Sequence, residues 1–299
     1  MKHTGEKKDV YQEITNKIIA ALESSAPAGR LPWQNAEGST LMPVNAVSKK
    51  PYRGVNILTL MVQAIEQGYP SNQWGTYKQW QEKGCQVRKG EKASLVVFWK
   101  FFDKEGQDDR QDAGEQEAGK IAGAVMARGY AVFNAAQVEG FQPEEQTPEK
   151  GRVERAENFF SSLQTEIRHG GNRAYYAPVH DYIQMPQFSQ FYAAEGYYSV
   201  LSHEITHWSG AKSRLDRDLS GRFGNESYAA EELIAELGAA FLCAELGLSQ
   251  EPREDHAQYI VTWLKVLKND KRAIFTAASK AQQAVDWMRE QQEEMKDAA

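Results

Sequence analysis

The spacing His-Glu-x-x-His at positions 203–207 constrains the fold of this chain more than any other feature. On an α-helix, residues four apart lie one above the other, so His203 and His207 can reach one metal ion together. The ion lowers the pKa of a water molecule bound to it. Glu204 lies beside that face and can hydrogen-bond this water. Zinc accepts two imidazoles and a carboxylate and leaves a fourth position for water. The motif therefore predicts a helix with one zinc ion, or another divalent transition ion, and Glu204 as general base.

The third protein ligand has to come from elsewhere in the chain. The metzincin pattern would place a histidine at position 213, but Ser213 stands there, and serine is not a usual zinc ligand. A second predicted helix, about 228–246, carries Glu232 and Glu236 beside its apolar stripe. Two like charges four residues apart destabilise a helix unless a positive group lies between them, and a zinc ion with its imidazoles supplies one. Both glutamates are candidates, and a solvated helix face is the alternative for both.

The pair of glutamates resembles the Glu-x-x-x-Asp pattern of the gluzincin metallopeptidases. In that family the first acid binds the metal and the second orients a ligand histidine. By this resemblance Glu232 is the third ligand and Glu236 holds a histidine, and the reverse assignment stays open.

Length and composition indicate an ordinary protein with two folded domains. The 299 residues suffice for two cores, 41% of them are hydrophobic and 25% are charged. No apolar run approaches the length of a membrane span, and the polar N-terminus lacks the pattern of a signal peptide. Cys85 and Cys243 lie far apart, which excludes a disulfide framework and favours a reducing compartment. We therefore expect a cytoplasmic protein without a membrane partner.

The net charge of −6 is distributed unevenly along the chain. Residues 1–105 carry 15 Lys and Arg against 10 Asp and Glu, a net of +5, so the remainder carries −11. A basic front half favours a polyanionic partner for that half alone.

The basic front half also interleaves aromatic rings with cations. Single-stranded nucleic acid needs this combination, because unpaired bases stack on rings while cations follow the phosphate backbone. The alternative is that the rings fill the core and the lysines are merely solvated. The candidate DNA-binding residues are Tyr52, Arg53, Trp74, Tyr77, Lys78, Trp80, Arg88, Lys89 and Lys92.

Periodicity and turn residues along the chain predict an α+β architecture in two domains. We place an N-terminal α+β domain that binds single-stranded DNA at 1–140, a linker at 141–152 and a mostly helical metallopeptidase domain at 153–299. An acidic, disordered loop is expected at 103–119, between two long strands. In the second domain a helix at 153–168 and a strand pair at 172–176 and 181–185 precede the metal-site helices. A strand pair beside a His-Glu-x-x-His helix fits a zincin layout, in which an edge strand can hold a peptide.

Short motifs from nearly the whole chain occur together in this sequence. They are Lys-Pro-Tyr-Arg-Gly-Val-Asn at 50–56, Trp-Gly-Thr at 74–76, Gly-x-x-Val-x-Lys-Gly-Glu at 84–91, Val-Phe-Asn-Ala-x-Gln at 132–137, Asp-x-Ile-x-Met-Pro at 181–186, His-Glu-Ile-Thr-His-Trp at 203–208 and Tyr-Ala-x-Glu-Glu-Leu-Ile-Ala-Glu-Leu at 228–237. In this combination the chain resembles the ArdC-type antirestriction proteins of conjugative plasmids. The resemblance implies an N-terminal single-stranded-DNA-binding domain, also found in plasmid primases, and a C-terminal zincin-like metallopeptidase domain. It further implies protection of entering plasmid DNA from the recipient's restriction enzymes.

Two functions are compatible with this sequence. In the first, a DNA-tethered zinc peptidase cleaves an unknown protein near the incoming strand. In the second, the protein is a non-proteolytic shield for single-stranded DNA, and its zincin-like domain is structural or recognises a protein partner. The intact Glu204 favours the first, because a structural metal site has no need of a general base.

Overall fold

A computed structural model of the chain describes residues 9–28, 30–34, 42–103, 106–108, 124–142, 152–219, 226–250 and 256–297. Most of the predicted acidic loop at 103–119 and most of the predicted linker at 141–152 lie outside these ranges. Among the helices in these ranges, none has both the length and the apolar character that crossing a membrane requires.

The front half packs three helices on a five-stranded sheet. The helices are α1 (Val10–Ser25), α2 (Val55–Gln67) and α3 (Tyr77–Glu82). The sheet has the order β1-β2-β6-β4-β5, with β1 Val44–Asn45, β2 Gln73–Gly75, β4 Ser94–Asp103, β5 Gly106–Asp108 and β6 Ala124–Asn134. A separate two-stranded ribbon pairs β3 (Gln86–Val87) with β7 (Val138–Glu139). The predicted long strands thus form the antiparallel pair β4–β6.

Local sequence signals explain the ends of these front helices. The side chain of Asp9 accepts hydrogen bonds from the backbone N–H groups of Tyr11 and Gln12 at the start of α1. Gly68 ends α2 with φ +63°, a left-handed conformation that glycine adopts without steric cost. Thr76 and Gln79 form a capping box on α3. Each of these three helix ends therefore has a local cause in the sequence.

The back half combines a small sheet with five helices among the described residues. In chain order they are α4 (Arg152–Ser162), β8 (Glu166–His169), β9 (Tyr175–Ala177), β10 (Tyr182–Met185), α5 (Ala194–Ser209), α6 (Glu226–Leu246), α7 (His256–Asn269) and α8 (Ala273–Asp297). The sheet order is β8-β10-β9, so β9 lies at an edge. The helix predicted at 153–168 is wrong beyond Ser162, because residues 166–169 pair in parallel with β10 instead of extending α4.

The two halves share one continuous hydrophobic core. Helix α1 packs against α7, and α2 packs against α8. Polar contacts accompany this packing: the hydroxyl of Thr15 donates to the carbonyl of Lys271 over 2.7 Å, and the N–H of Gly54 donates to Gln282 Oε1 over 3.1 Å. The predicted domains at 1–140 and 153–299 therefore contact each other through buried residues.

Candidate metal centre

Helix α5 brings the two histidines of the motif together. Nε2 of His203 and Nε2 of His207 lie 3.1 Å apart, and both rings face helix α6. Helix α5 ends at Ser209, and the N–H of the following Gly210 donates to the carbonyl of His207 over 2.8 Å. The four-residue spacing thus has the consequence that the sequence predicts.

Helix α6 adds Glu232 to this pair. Glu232 Oε2 lies 3.5 Å from His203 Nε2, and Glu232 Oε1 lies 3.6 Å from His207 Nε2. Donors bound roughly 2.0–2.2 Å from one tetrahedral zinc ion would lie about 3.3–3.6 Å apart. The three buried or half-buried side chains form the group of potential ligands found among the described residues. Two imidazoles and a carboxylate at these separations fit a divalent transition ion.

The charge state of Glu232 suits a ligand. Burial raises the pKa of this carboxyl group, but the hydrogen bond with His203 and the electrostatic attraction to both histidines outweigh burial and lower the pKa to about 2. Glu232 is therefore ionised at neutral pH, as a metal ligand has to be.

Carboxylates also hold the far side of both histidine rings. Glu236 Oε1 lies 3.0 Å from Nδ1 of His203, and Glu231 Oε1 lies 3.2 Å from Nδ1 of His207. A partner at Nδ1 directs Nε2 of each ring toward the shared point. Glu236 lies behind His203, where the gluzincin resemblance places it, and its role stays a prediction. Glu231 is not among the residues predicted from the sequence. The sequence signal that could have indicated Glu231 is the pair of adjacent acids at 231 and 232 in a largely apolar helix.

Arg217 in turn holds Glu231, and this residue too is not predicted from the sequence. Arg217 Nη2 donates to Glu231 Oε1 over 2.9 Å, and its Nε donates to Glu231 Oε2 over 3.1 Å. Burial raises the pKa of Glu231, but the contacts with His207 and Arg217 outweigh burial, so the pKa is lowered. No sequence spacing links Arg217 to Glu231, since the loop between α5 and α6 determines where the guanidinium lies.

Glu204 is buried next to the ligands but is held by a different element. Its Oε2 accepts a hydrogen bond of 2.9 Å from the backbone N–H of Tyr176 on the edge strand β9. Arg214 braces the same β9–β10 hairpin: it donates to the carbonyl of Trp208 over 2.6 Å and to Asp181 Oδ2 over 3.0 Å. The general-base candidate therefore lies between the metal-ligand helix and a sheet edge.

The structure contradicts the prediction for three of the rings that were expected to stack on DNA bases. Trp74 and Trp80 are 0% exposed and Tyr52 is 6% exposed, so a base cannot reach their ring faces in this structure. Trp80 donates its indole N–H to the carbonyl of Phe133 over 3.0 Å, and burial raises the pKa of Tyr52 to about 12. The prediction that these three rings stack on bases is wrong, because all three are packed inside the protein. Tyr52 and Trp74 lie in the core that the two halves share, and Trp80 lies in a separate, smaller cluster of the front half.

The remaining candidates of the front half lie at the surface. Tyr77 is 43% exposed, and Gln86 Nε2 donates to its hydroxyl over 2.9 Å, which brings α3 beside β3. The cations Lys78, Arg88, Lys89 and Lys92 are exposed on α3 and on the turn after β3. We call these five residues the α3–β3 surface: Tyr77, Lys78, Arg88, Lys89 and Lys92.

Arg53 and Arg88 each have an acidic neighbour. Arg53 forms an ion pair with Asp286 of α8, so it links the two halves of the chain. Arg88 pairs with Glu91 over 2.7 Å and donates to the carbonyl of Ala136. Their positive charge is therefore partly neutralised within the protein.

Two families match the two halves of this chain. Residues 8–133 match the N-terminal domain of anti-restriction factor ArdC, and residues 154–280 match the zincin-like metallopeptidase family. The chain belongs to the ArdC-type antirestriction proteins. The resemblance seen in the short motifs and the two-domain α+β fold class are both confirmed.

Solved structures and curated relatives support this membership over most of the chain. The fold is similar to ArdC of plasmid R388 in its metal-free form, with a TM-score of 0.75 and 39% identity over 96% of this chain and 98% of that one. The Mn(II)-bound form of the same protein gives a TM-score of 0.74, 43% identity and coverage of 95% and 98%.

Two curated relatives differ in how much of their length the ArdC-type chain spans. It is 53% identical to the protein y4eC of Sinorhizobium fredii, over 95% of this chain and 92% of y4eC. It is also 36% identical to the DNA primase TraC of Escherichia coli, over 94% of this chain but only 27% of the primase.

Proposed function

We propose that this ArdC-type protein binds single-stranded DNA, protects entering plasmid DNA from restriction, and carries a zinc-dependent peptidase centre. The observation that carries the catalytic part is the position of Glu204. It is buried next to His203 and His207, yet its carboxylate is held by the N–H of Tyr176 rather than at the group of three ligands. A carboxylate placed in this way suits a general base, which has to lie near the ligands without being one of them.

His203, His207 and Glu232 would hold the ion, with Glu236 and Glu231 orienting the two rings. When bound, zinc would act as a Lewis acid on a peptide carbonyl and lower the pKa of a water molecule. The Mn(II)-bound structure of R388 ArdC supports a divalent ion in a protein of this fold. Zinc is our choice for this chain because nitrogen ligands and a single carboxylate suit it better than they suit manganese.

The remaining steps of the proposed peptidase reaction fall to this chain's own residues. Glu204 would accept the proton from the attacking water, while the Tyr176 N–H keeps the carboxylate in place. Strand β9 lies at the edge of the sheet β8-β10-β9, where backbone groups can pair with an extended peptide. We therefore propose an extended polypeptide segment as the substrate, lying along β9 next to Glu204.

The α3–β3 surface is the proposed contact with DNA. Four exposed cations and one exposed tyrosine, Tyr77, lie on α3 and on the segment after β3, and they combine backbone neutralisation with a ring on which an unpaired base can stack. The excess of positive charge in residues 1–105 supports the same location. A relative that is a DNA primase supports a DNA partner as well. Protection of entering DNA would take place in the cytoplasm, which stays a prediction.

A Glu204→Gln variant tests whether protection depends on peptidase chemistry. Conjugative transfer into restricting and non-restricting recipients measures protection, and fluorescence anisotropy with labelled single-stranded DNA measures binding separately. We expect Glu204→Gln to lose protection and to bind DNA like the wild type, because Glu204 lies on α5 in the other half of the chain and its carboxylate contacts β9. Glu166→Gln removes an exposed carboxylate of the same half and is the matched control. Full protection by Glu204→Gln would instead establish the non-proteolytic shield.

A further inference from the structure

We infer that Arg217 is a positioning residue of the metal centre, which holds Glu231 and, through Glu231, the ring of His207. This inference rests on the proposed metal centre and does not depend on peptidase activity. It concerns a residue outside the His-Glu-x-x-His motif and outside helix α6.

The guanidinium group of Arg217 is fixed on two sides. One side makes the paired hydrogen bonds to both carboxylate oxygens of Glu231. The other side donates to the carbonyl of Thr206 and, over 3.0 Å, to the hydroxyl of Ser209, both on helix α5. The planar guanidinium group donates to a carboxylate and to the end of a helix at the same time. The single ammonium group of lysine cannot reproduce this geometry. Arg217 therefore ties Glu231 of α6 to the C-terminal turn of α5.

A single carboxylate oxygen connects Arg217 with the metal centre. Glu231 Oε1 lies 2.9 Å from Arg217 Nη2 and 3.2 Å from His207 Nδ1. His207 is the more exposed of the two histidines, with 13% of its side chain accessible against 3% for His203. Because less packing surrounds His207, its ring orientation depends more on the hydrogen bond to Glu231.

Gly210 makes room for this arrangement. A Cβ atom at position 210 would lie 2.7 Å from Nη2 of Arg217, closer than real Cβ contacts come. The backbone N–H of Arg217 also donates to the carbonyl of Gly210 over 2.9 Å. The turn after α5 is thus shaped to deliver the guanidinium to Glu231.

The same loop supplies a matched control in Arg214. Arg214 also donates to a carbonyl at the end of α5, that of Trp208, and its guanidinium lies 4.1 Å from the Trp208 ring. Its other contacts go to Asp181 and Tyr176 on the β9–β10 hairpin. Replacing Arg214 therefore removes a similar half-buried arginine from the same loop while leaving Glu231 with Arg217.

Zinc affinity is the measurement that separates positioning from plain stability. Purified full-length protein would be stripped of metal and titrated with zinc in competition with a chromophoric chelator, and thermal unfolding of the metal-free protein would be followed in parallel. Arg217→Gln and Glu231→Gln should each weaken zinc binding about 10–100-fold, as expected for partners behind a ligand histidine. The double variant should bind no more weakly than the weaker single variant, because both act through one contact. Arg214→Gln should keep wild-type zinc affinity.

Three results would overturn the inference, and each has a distinct reading. Wild-type zinc affinity in both Arg217→Gln and Glu231→Gln would show that the metal centre does not depend on Arg217. A loss in Glu231→Gln as complete as in Glu232→Gln would make Glu231 a ligand rather than an intermediary. A wild-type protein that takes up no zinc would overturn the metal centre itself. If Arg217→Gln does not fold, Arg217→Lys decides instead, because lysine keeps the charge but cannot form the paired hydrogen bonds. Wild-type zinc affinity in a folded Arg217→Lys would then overturn the inference.

Discussion

Thr206 of α5 and Gly238 of α6 face each other so closely that a Cβ atom at position 238 would lie 2.6 Å from the Thr206 side chain. This contact sets the approach of the two helices that carry the candidate metal ligands. His203 and His207 lie on α5 to either side of Thr206, and Glu232 and Glu236 precede Gly238 on α6. The absence of a side chain at 238 therefore allows the carboxylates to reach the imidazoles.

Gly238→Ala should destabilise the protein, although alanine is the better helix former. Helix propensity alone would stabilise the variant by about 0.8–1 kcal/mol. Overpacking against Thr206 should cost about 1–3 kcal/mol and separate the helices, so zinc affinity should fall as well. Urea unfolding and zinc titration measure the two effects. Adding Thr206→Ala to the Gly238→Ala variant should restore part of the stability and part of the zinc affinity. A Gly238→Ala variant that is more stable than the wild type would contradict the close packing.

Removal of single metal-site residues should separate ligands from the general base. His203→Ala and Glu232→Ala should lose bound zinc, because each removes one of three protein ligands. Glu204→Gln should keep it, since Glu204 is held by Tyr176. Elemental analysis of the purified variants measures their zinc content directly. Full zinc content in Glu232→Ala together with loss in Glu236→Ala would mean that the two acids have exchanged roles.

Salt dependence should distinguish the cations of the α3–β3 surface from its ring. Lys89→Ala should weaken binding to single-stranded DNA and flatten the log–log salt slope by up to about one unit. Tyr77→Ala should weaken binding with little change of slope, because stacking releases no counterions. Anisotropy titrations at several salt concentrations provide both numbers, with the exposed Lys265 of the back half replaced by alanine as the control. Equal slopes for Lys89→Ala and the wild type would remove Lys89 from the interface.

Trp74→Ala and Trp80→Ala should act on stability rather than on DNA contacts. Both rings are fully buried, and truncation of a buried aromatic ring costs about 3–5 kcal/mol. Each variant should therefore unfold at lower urea concentration, and any folded fraction should bind DNA like the wild type. Circular dichroism and anisotropy on the same samples decide this. A variant of native stability that no longer binds DNA would restore these rings as stacking residues.

The sequence by itself determined whatever depends on local geometry. His203 and His207 meet because four residues complete about one helical turn, whatever the rest of the fold does. Asp9 and Gly68 mark helix ends through side-chain capping and a left-handed φ, which are equally local. Membership of the ArdC-type proteins followed from motifs spread along the chain.

Only the tertiary structure decided which side chains meet across elements. Glu231 binds Arg217 and His207 because the approach of α5 and α6 at Thr206 and Gly238 fixes the rotation of one helix against the other. Residues 166–169 form a strand because β10 offers them a partner, which outweighs their helical neighbourhood. Trp74 is buried in the core that the two halves share, and Trp80 is buried in a smaller cluster of the front half. Composition and spacing identify an aromatic ring, but only packing determines whether its face meets the core or solvent.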